Sequence, residues 1–231
     1  LNPATMKLSA PGIYVYPKES EQASVILGHV GPGPYFEGFF PIAIFDRLYG
    51  LGDFDNLLFE RIRTEKGYAY SIYGGVIPGY PNGEFEVEFG SKTESVIPAV
   101  KDVLEITEKA LASEFTEKEI SNAASAATKS YAFKHETAAD RVKRAAYLRT
   151  YNFPENFDAN YLESLSSVTS RDVLNYSSRW VDPKNLVVVI VGNIKPEQVY
   201  RELKTSLPIY EVVLDASGIP KMSRRISGLH K

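Results

Sequence analysis

The chain has 231 residues, of which 44% are hydrophobic and 24% are charged, with a formal net charge of -3. This composition is typical of a folded globular protein, and the slightly acidic balance implies no basic face, which disfavours a nucleic-acid partner. The chain has no cysteine, which excludes disulfides, thiolate catalysis and cysteine-bound zinc but leaves the cellular compartment open. The longest apolar run, 186–191, is too short to span a membrane.

The first third of the chain predicts two strands and two short helices. Both strands are rich in β-forming residues and end at proline or glycine, whereas the helices show apolar residues at helical spacing. In chain order these are strands at 13–16 and 23–30 and helices at 38–49 and 56–63.

A β-hairpin is predicted next, with strands at 68–77 and 84–89. The connection between them contains Asn82-Gly83, a strong turn dipeptide. The second strand alternates apolar residues with glutamates, so one face of the sheet is expected to be buried and the other wet. Its glutamates are Glu84, Glu86 and Glu88. Neighbouring carboxylates can do acid–base work or bind a cation, but a solvated sheet face explains the row more simply.

The second half of the chain predicts mainly helices. Three of them begin with a threonine followed three residues later by an acidic side chain, which is the pattern of a helix-capping box. The expected helices lie at 95–112 and 116–131, from 137, at 157–165, from 169 and from 196, with one central strand at 185–191. This order predicts an α+β fold, in which a mostly antiparallel sheet carries helices packed on one face.

The domain organisation follows from the same pattern. We expect a lead-in at 1–11, a single domain at 12–208 and a C-terminal extension at 209–231. The basic residues of that extension are interpreted as a solvated tail. They are Lys221, Arg224, Arg225 and Lys231.

Searches for catalytic and metal-binding motifs give little. The three histidines, His29, His135 and His230, lie far apart, and Ala139 stands where a zinc motif beginning at His135 would need its second histidine. No metal ligand is therefore assigned within this chain. The sequence also lacks the glycine–serine elbow of a hydrolase and a phosphate-binding glycine loop.

One segment does combine residues that could act on a peptide. A predicted helix ends near Arg63, Gly67 forms a turn, and a strand begins around Tyr70. Arginine offers a fixed cation with several donors, and a tyrosine hydroxyl is a neutral donor on a stiff side chain. Together they could hold a peptide and a developing oxyanion. Alternatively, Arg63 stabilises the helix dipole and Tyr70 packs on the sheet.

At these residues the sequence resembles the pitrilysin/insulinase family of zinc metallopeptidases. The family segment with the pattern L-F-x-x-I-R-x-x-x-G-x-A-Y is matched from Leu58 to Tyr70, and 22–28 and 185–193 resemble flanking family strands. The resemblance covers about 12–205. It implies paired α+β halves that close over a peptide, one half binding zinc and the other supplying an arginine and a tyrosine.

The resemblance implies specific roles for this chain. Tyr70 would stabilise the tetrahedral oxyanion, Arg63 would orient the peptide substrate, and both would bind substrate. No cofactor would bind to this chain, because zinc would come from a homologous zinc-bearing domain or subunit. The chain would then be either the C-terminal half of a longer polypeptide or a separate subunit. Two other readings stay open: a non-catalytic structural or binding subunit of such a complex, and an unrelated α+β module.

Overall fold

The computed structural model of the protein describes residues 10–52, 54–133 and 137–227. Its strands are Gly12–Pro17 (β1), Gln22–Val30 (β2), Ala69–Ile77 (β3), Glu84–Lys92 (β4), Val187–Gly192 (β5), Ile209–Leu214 (β6) and Pro220–Ile226 (β7). Its α-helices are Phe39–Asp46 (α1), Val96–Ala110 (α2), Glu117–Phe133 (α3), Ala138–Thr150 (α4), Phe157–Ser166 (α5), Ser170–Trp180 (α6) and Pro196–Leu203 (α7). Two π-helical segments, Arg47–Leu51 and Phe59–Glu65, and two 3-10 turns, Thr93–Ser95 and Pro183–Asn185, complete the elements.

The seven strands of the described residues form one sheet with the order β3-β4-β2-β5-β1-β6-β7. Four of the six pairings are antiparallel, and the two parallel ones place β1 between β5 and β6. The predicted α+β fold with a mostly antiparallel sheet is therefore confirmed. The hairpin is also confirmed, with β4 extending three residues beyond the predicted end.

The two faces of the sheet differ in burial, as the alternation of β4 predicts. Val25 and Leu27 of β2 and Phe85 and Val87 of β4 are fully buried beneath the helices. On the opposite face, Ile26 of β2 is 42% exposed. Because side chains alternate along a strand, this difference places the helical layer on one face only.

The predicted helix starts at Thr116, Thr137 and Thr169 have the expected caps. At Thr169 the hydroxyl accepts from the Asp172 backbone N–H while the Asp172 carboxylate accepts from the Thr169 N–H. Thr116 with Glu119 shows the same reciprocal pair of bonds, and Thr137 accepts from the Asp140 N–H. These local bonds satisfy N–H groups that no earlier turn can bond.

The predicted C-terminal extension needs correction. Ile209 pairs with Ile13 of β1, and β7 pairs antiparallel with β6, so residues 209–226 continue the domain's sheet past residue 208. Arg224 forms ion pairs with Glu197 and Glu211 rather than lying in a solvated tail. The polar sequence of β7 fits an edge strand, where charged side chains hinder pairing with other molecules. Lys231 and most of the predicted lead-in lie outside the described residues.

Within the described ranges, no helix combines the length and apolar character needed to cross a lipid bilayer.

Candidate substrate-binding site

The segment that carries Arg63 and Tyr70 is a π-helical turn followed by a tight glycine turn. The N–H of Lys66 donates to the carbonyl of Arg61 five residues back, and the N–H of Tyr68 donates to the carbonyl of Ile62. Ile62 is fully buried and anchors the turn in the core. Gly67 has a φ of 61°, in the left-handed region that favours glycine. The predicted helix at 56–63 is thus found as the π-helical segment Phe59–Glu65.

A β-bulge then turns the Tyr70 side chain outward. Ala69 pairs with Ser91 and Ile72 pairs with Phe89, so three steps along β3 oppose two steps along β4. Between these two pairs, β3 therefore has two residues, Tyr70 and Ser71, where β4 has one. Bulges are known to redirect side chains near binding sites. Here the bulge leaves Tyr70 84% exposed, although Ala69 and Ile72 are both buried.

Arg63 and Tyr70 lie side by side on the surface. The guanidinium carbon of Arg63 is 4.9 Å from the centroid of the Tyr70 ring and 4.6 Å from that of Phe59. Exposed Phe54 lies further away, at 6.0 Å. These distances are within the range of cation–π attraction. The structure therefore brings the two predicted residues together at one end of the sheet, with the phenol open to solvent.

The charge of Arg63 is not neutralised by a carboxylate of the described chain. Arg61, two residues earlier, forms ion pairs with Glu65 at 2.7 Å and with Asp102 at 3.0 Å. Among the ion pairs between described residues, none includes Arg63. The two arginines thus divide their roles: Arg61 binds within the fold, and Arg63 keeps its donors available for a ligand.

A surface cleft of about 480 Å³ adjoins the pair. Gln22 at the start of β2, Lys92 at the end of β4, and Glu94 line it together with Arg63 and Tyr70. The Ser91 hydroxyl, beneath the cleft, donates to the Tyr68 carbonyl at 2.7 Å and ties the turn to β4. The cleft therefore has a buried support and a rim of charged and aromatic side chains.

The aromatic surroundings of Arg63 were not singled out by the sequence reasoning. Phe59 lies within the matched family segment, but neither it nor Phe54 was predicted to contact Arg63. Phe59 does stand four residues before Arg63, the spacing at which helical side chains meet. That spacing is the sequence signal that could have indicated the contact between Phe59 and Arg63.

The glutamate row lies on the uncovered face of the sheet, as predicted. Glu84 and Glu88 are exposed and Glu86 is half-buried. Burial, together with the charges of Glu84 and Glu88, raises the pKa of Glu86 above its usual value.

The described residues contain no cluster of three or more histidine, cysteine, aspartate or glutamate side chains that could hold a metal ion. Both nitrogens of His29 are occupied: Nδ1 lies 2.9 Å from the Val30 carbonyl and Nε2 accepts from the Asp182 N–H at 2.9 Å. His135 and His230 lie outside the described residues. Residues 10–52, 54–133 and 137–227 thus offer no zinc site.

Comparisons with known proteins agree with the fold. In the solved structure of a peptidase M16 inactive domain from Pseudomonas fluorescens, 84% of this chain and 48% of that chain superpose with a TM-score of 0.74 at 20% identity. A protease structure from Helicobacter pylori matches 79% of this chain and 45% of its own, with a TM-score of 0.68 at 15% identity. Identities this low establish a shared fold.

A curated relative gives a closer sequence match. The protein described as non-peptidase homolog YmxG from Helicobacter pylori is 25% identical over 156 residues, which cover 64% of this chain and 34% of that protein. The chain thus spans between a third and a half of the length of these three relatives.

The family model described as "Peptidase M16 inactive domain" matches residues 2–127, which is more than half of the chain and includes both Arg63 and Tyr70. The resemblance to pitrilysin-type proteins is thereby confirmed, and the chain belongs to the Peptidase M16 inactive domain family.

Proposed function

We propose that this chain is the substrate-binding half of a zinc-dependent peptidase, completing an active site whose zinc and general base lie in a partner domain or subunit. The observation that carries the proposal is the pairing of Arg63 with Tyr70. An exposed phenol lies 4.9 Å from a guanidinium that no described carboxylate neutralises. Arg61, two residues earlier, is paired within the fold, whereas Arg63 lines a cleft and has its guanidinium beside the Tyr70 ring.

Arg63 positions the peptide in this proposal. Its guanidinium can donate several hydrogen bonds to the carbonyl groups of an extended backbone. The adjoining strand β3 is at the edge of the sheet, and an edge strand can accept an extended peptide as an additional strand. Arg63 and the edge of β3 would thus hold the same segment of substrate and align it for attack.

Tyr70 stabilises the transition state. When a nucleophile attacks the scissile carbonyl, negative charge develops on its oxygen, and a correctly placed O–H donor bonds that oxygen most strongly at that stage. The Tyr70 hydroxyl is such a donor, and the bulge directs it away from the sheet. The zinc that activates the nucleophile would be supplied by the partner, because the described residues offer no site for it.

The proposal is tested by mixing the 231-residue chain with a zinc-bearing partner half. That half is encoded either by the same gene as this chain or by a neighbouring gene. Cleavage of a fluorogenic peptide library is then measured. We expect Tyr70→Phe to lower kcat by about 100-fold, as loss of one oxyanion donor does in other hydrolases. Tyr73→Phe is the matched control, since Tyr73 is on the same strand and 54% exposed, and it should stay within about twofold.

Unchanged turnover in Tyr70→Phe would remove the phenol from the mechanism. Equal losses in both tyrosine variants would indicate a general effect on the strand rather than a specific donor.

A non-catalytic structural or binding subunit is the second candidate function. It is favoured by the relative described as a non-peptidase homolog. This candidate predicts stable association with a homologous partner but no hydrolysis of any library peptide with any zinc-bearing half. The reconstitution experiment separates the two candidates directly.

A further inference from the structure

A second cavity lies away from the Arg63–Tyr70 cleft, with which it shares no lining residue. It has a volume of about 330 Å³ and is bounded by α1, α3, α5 and the end of β3. Phe36, Phe39, Tyr131 and Tyr161 contribute aromatic walls. A cavity of this size and character is at the small end of the range that binds small molecules.

A buried carboxyl group lines this apolar cavity. Asp46 is 8% exposed, and its Oδ1 accepts from the Val76 backbone N–H at 2.7 Å. In the part of the chain that the structure describes, this is the only hydrogen bond of the carboxyl. A buried polar atom without a partner is costly, so the second oxygen needs an explanation.

The protonation state of Asp46 defines what the second oxygen can do. Burial raises the pKa of this carboxyl well above its usual value, although the bond from Val76 opposes the shift. This shift is towards the neutral form, and a neutral carboxyl carries one O–H donor. With Oδ1 already accepting from Val76, the O–H is left to donate to a ligand.

We propose that this cavity binds a small neutral molecule with an aromatic or aliphatic body and one hydrogen-bond acceptor, such as an amide or ketone carbonyl, which accepts from Asp46. Arg47 also lines the cavity, and its charge disfavours a cationic ligand. The aromatic walls disfavour a strongly hydrated anion. A neutral carbonyl compound can both pack against the aromatic walls and accept the hydrogen bond from Asp46.

The probe is N,N-dimethylbenzamide, which has an aromatic body and a carbonyl but no N–H group. Binding to the 231-residue chain is followed by NMR titration, with isopropylbenzene and N,N-dimethylbenzylamine as matched probes that lack the carbonyl. We expect saturable binding of the amide at least about tenfold tighter than either matched probe. Asp46→Asn should keep binding within about threefold, because its amide N–H can replace the O–H donor.

Filling the cavity should abolish binding. Ala127→Met introduces a long side chain from α3 into the lining, and Ala43→Met does so from α1. Each should weaken the binding of N,N-dimethylbenzamide by at least about tenfold. Ser125→Met, at an exposed position of α3, should leave this binding unchanged. The NMR spectrum of each variant reports whether it is folded.

Three results would overturn the proposal. The first is the absence of saturable binding by the amide. The second is equal or tighter binding of the hydrocarbon or the amine. The third is amide binding that persists in both folded cavity-filling variants. None of these depends on peptidase activity, so the outcome is independent of the function proposed for Arg63 and Tyr70.

Discussion

The two ends of strand β3 are built in opposite ways. At its start, Tyr70 protrudes from a bulge beside Arg63 and is 84% exposed. Near its end, Val76 is buried, and its N–H is bonded by the buried carboxyl of Asp46 on α1. Within seven residues, the strand thus changes from an exposed tyrosine beside an arginine to a buried hydrogen bond between a backbone N–H and a carboxyl group.

The difference shows how a sheet edge is kept partly open. Where the edge is closed, helix α1 and the π-helical segment after it lie directly against the strand. A Cβ at Gly50 would be 2.5 Å from the Gly74 carbonyl oxygen, and one at Gly75 would be 2.7 Å from Asp46 Oδ1. This close packing protects the edge from pairing with other chains. The start of β3 lacks such cover and is the part that we assign to substrate.

Replacing Arg63 tests the exposed end of β3. In the assembled peptidase we expect Arg63→Ala to lower kcat/KM by about thirtyfold, since a hydrogen bond to a charged group is worth about 2 kcal/mol. Steady-state kinetics on one library peptide measures the change, which should fall mainly on KM because Arg63 positions the substrate.

Arg61→Ala is the control for this prediction. Its ion pairs with Glu65 and Asp102 are within the fold, so kcat/KM should stay within about threefold of the parent. If both arginine variants lost activity equally, Arg63 would have no distinct role.

The closed end is probed by Asp46→Asn. We expect this change to raise the Tm at pH 7 by about 3 °C, because a protein of this size gains roughly that much for each kcal/mol. The folded chain holds the Asp46 proton to higher pH than the unfolded chain does. The aspartate therefore costs stability as the pH rises from its usual pKa towards its raised one.

The gain in Asp46→Asn should shrink as the pH falls to about 3, where the carboxyl is mostly protonated in both states. Thermal unfolding across this pH range tests the sign. A gain that did not vary with pH would contradict the buried, neutral carboxyl.

The smallest expected effect lies in the turn between Arg63 and Tyr70. Gly67→Ala should lower the free energy of unfolding by about 1 kcal/mol, because an L-residue at φ 61° is strained even though no atom lies within 4 Å. Urea denaturation measures the loss. Gly90→Ala, where the nearest atom is 3.9 Å away, should be neutral or slightly stabilising. Equal costs at the two sites would contradict a conformational origin of the loss at Gly67.

Several features could be predicted from local sequence. The threonine caps, the hairpin and the alternation of β4 all arise from residues within a few positions of one another. The same holds for the closeness of Arg63 and Tyr70, which are joined by a short turn. Their catalytic roles, in contrast, came only from the resemblance to the pitrilysin/insulinase family and stay predictions.

Other features depend on contacts between distant residues. The sequence reasoning ended the domain at 208, yet β6 pairs with β1 almost 200 residues earlier in the chain. The bulge at Tyr70 was also not predicted, because it is defined by the register with β4. Neither the pairing of β6 with β1 nor the bulge produces a recognisable pattern in the local sequence.

Short-range periodicity and turn chemistry were enough to predict the succession of helices and strands, the single buried face of the hairpin and the arginine–tyrosine segment. The strand order and the exposure of Tyr70 could be read only from the folded structure. The tertiary structure also decided the bond between Asp46 and Val76, thirty residues apart. These depend on which surfaces exclude water together, and that choice is made by the whole chain at once.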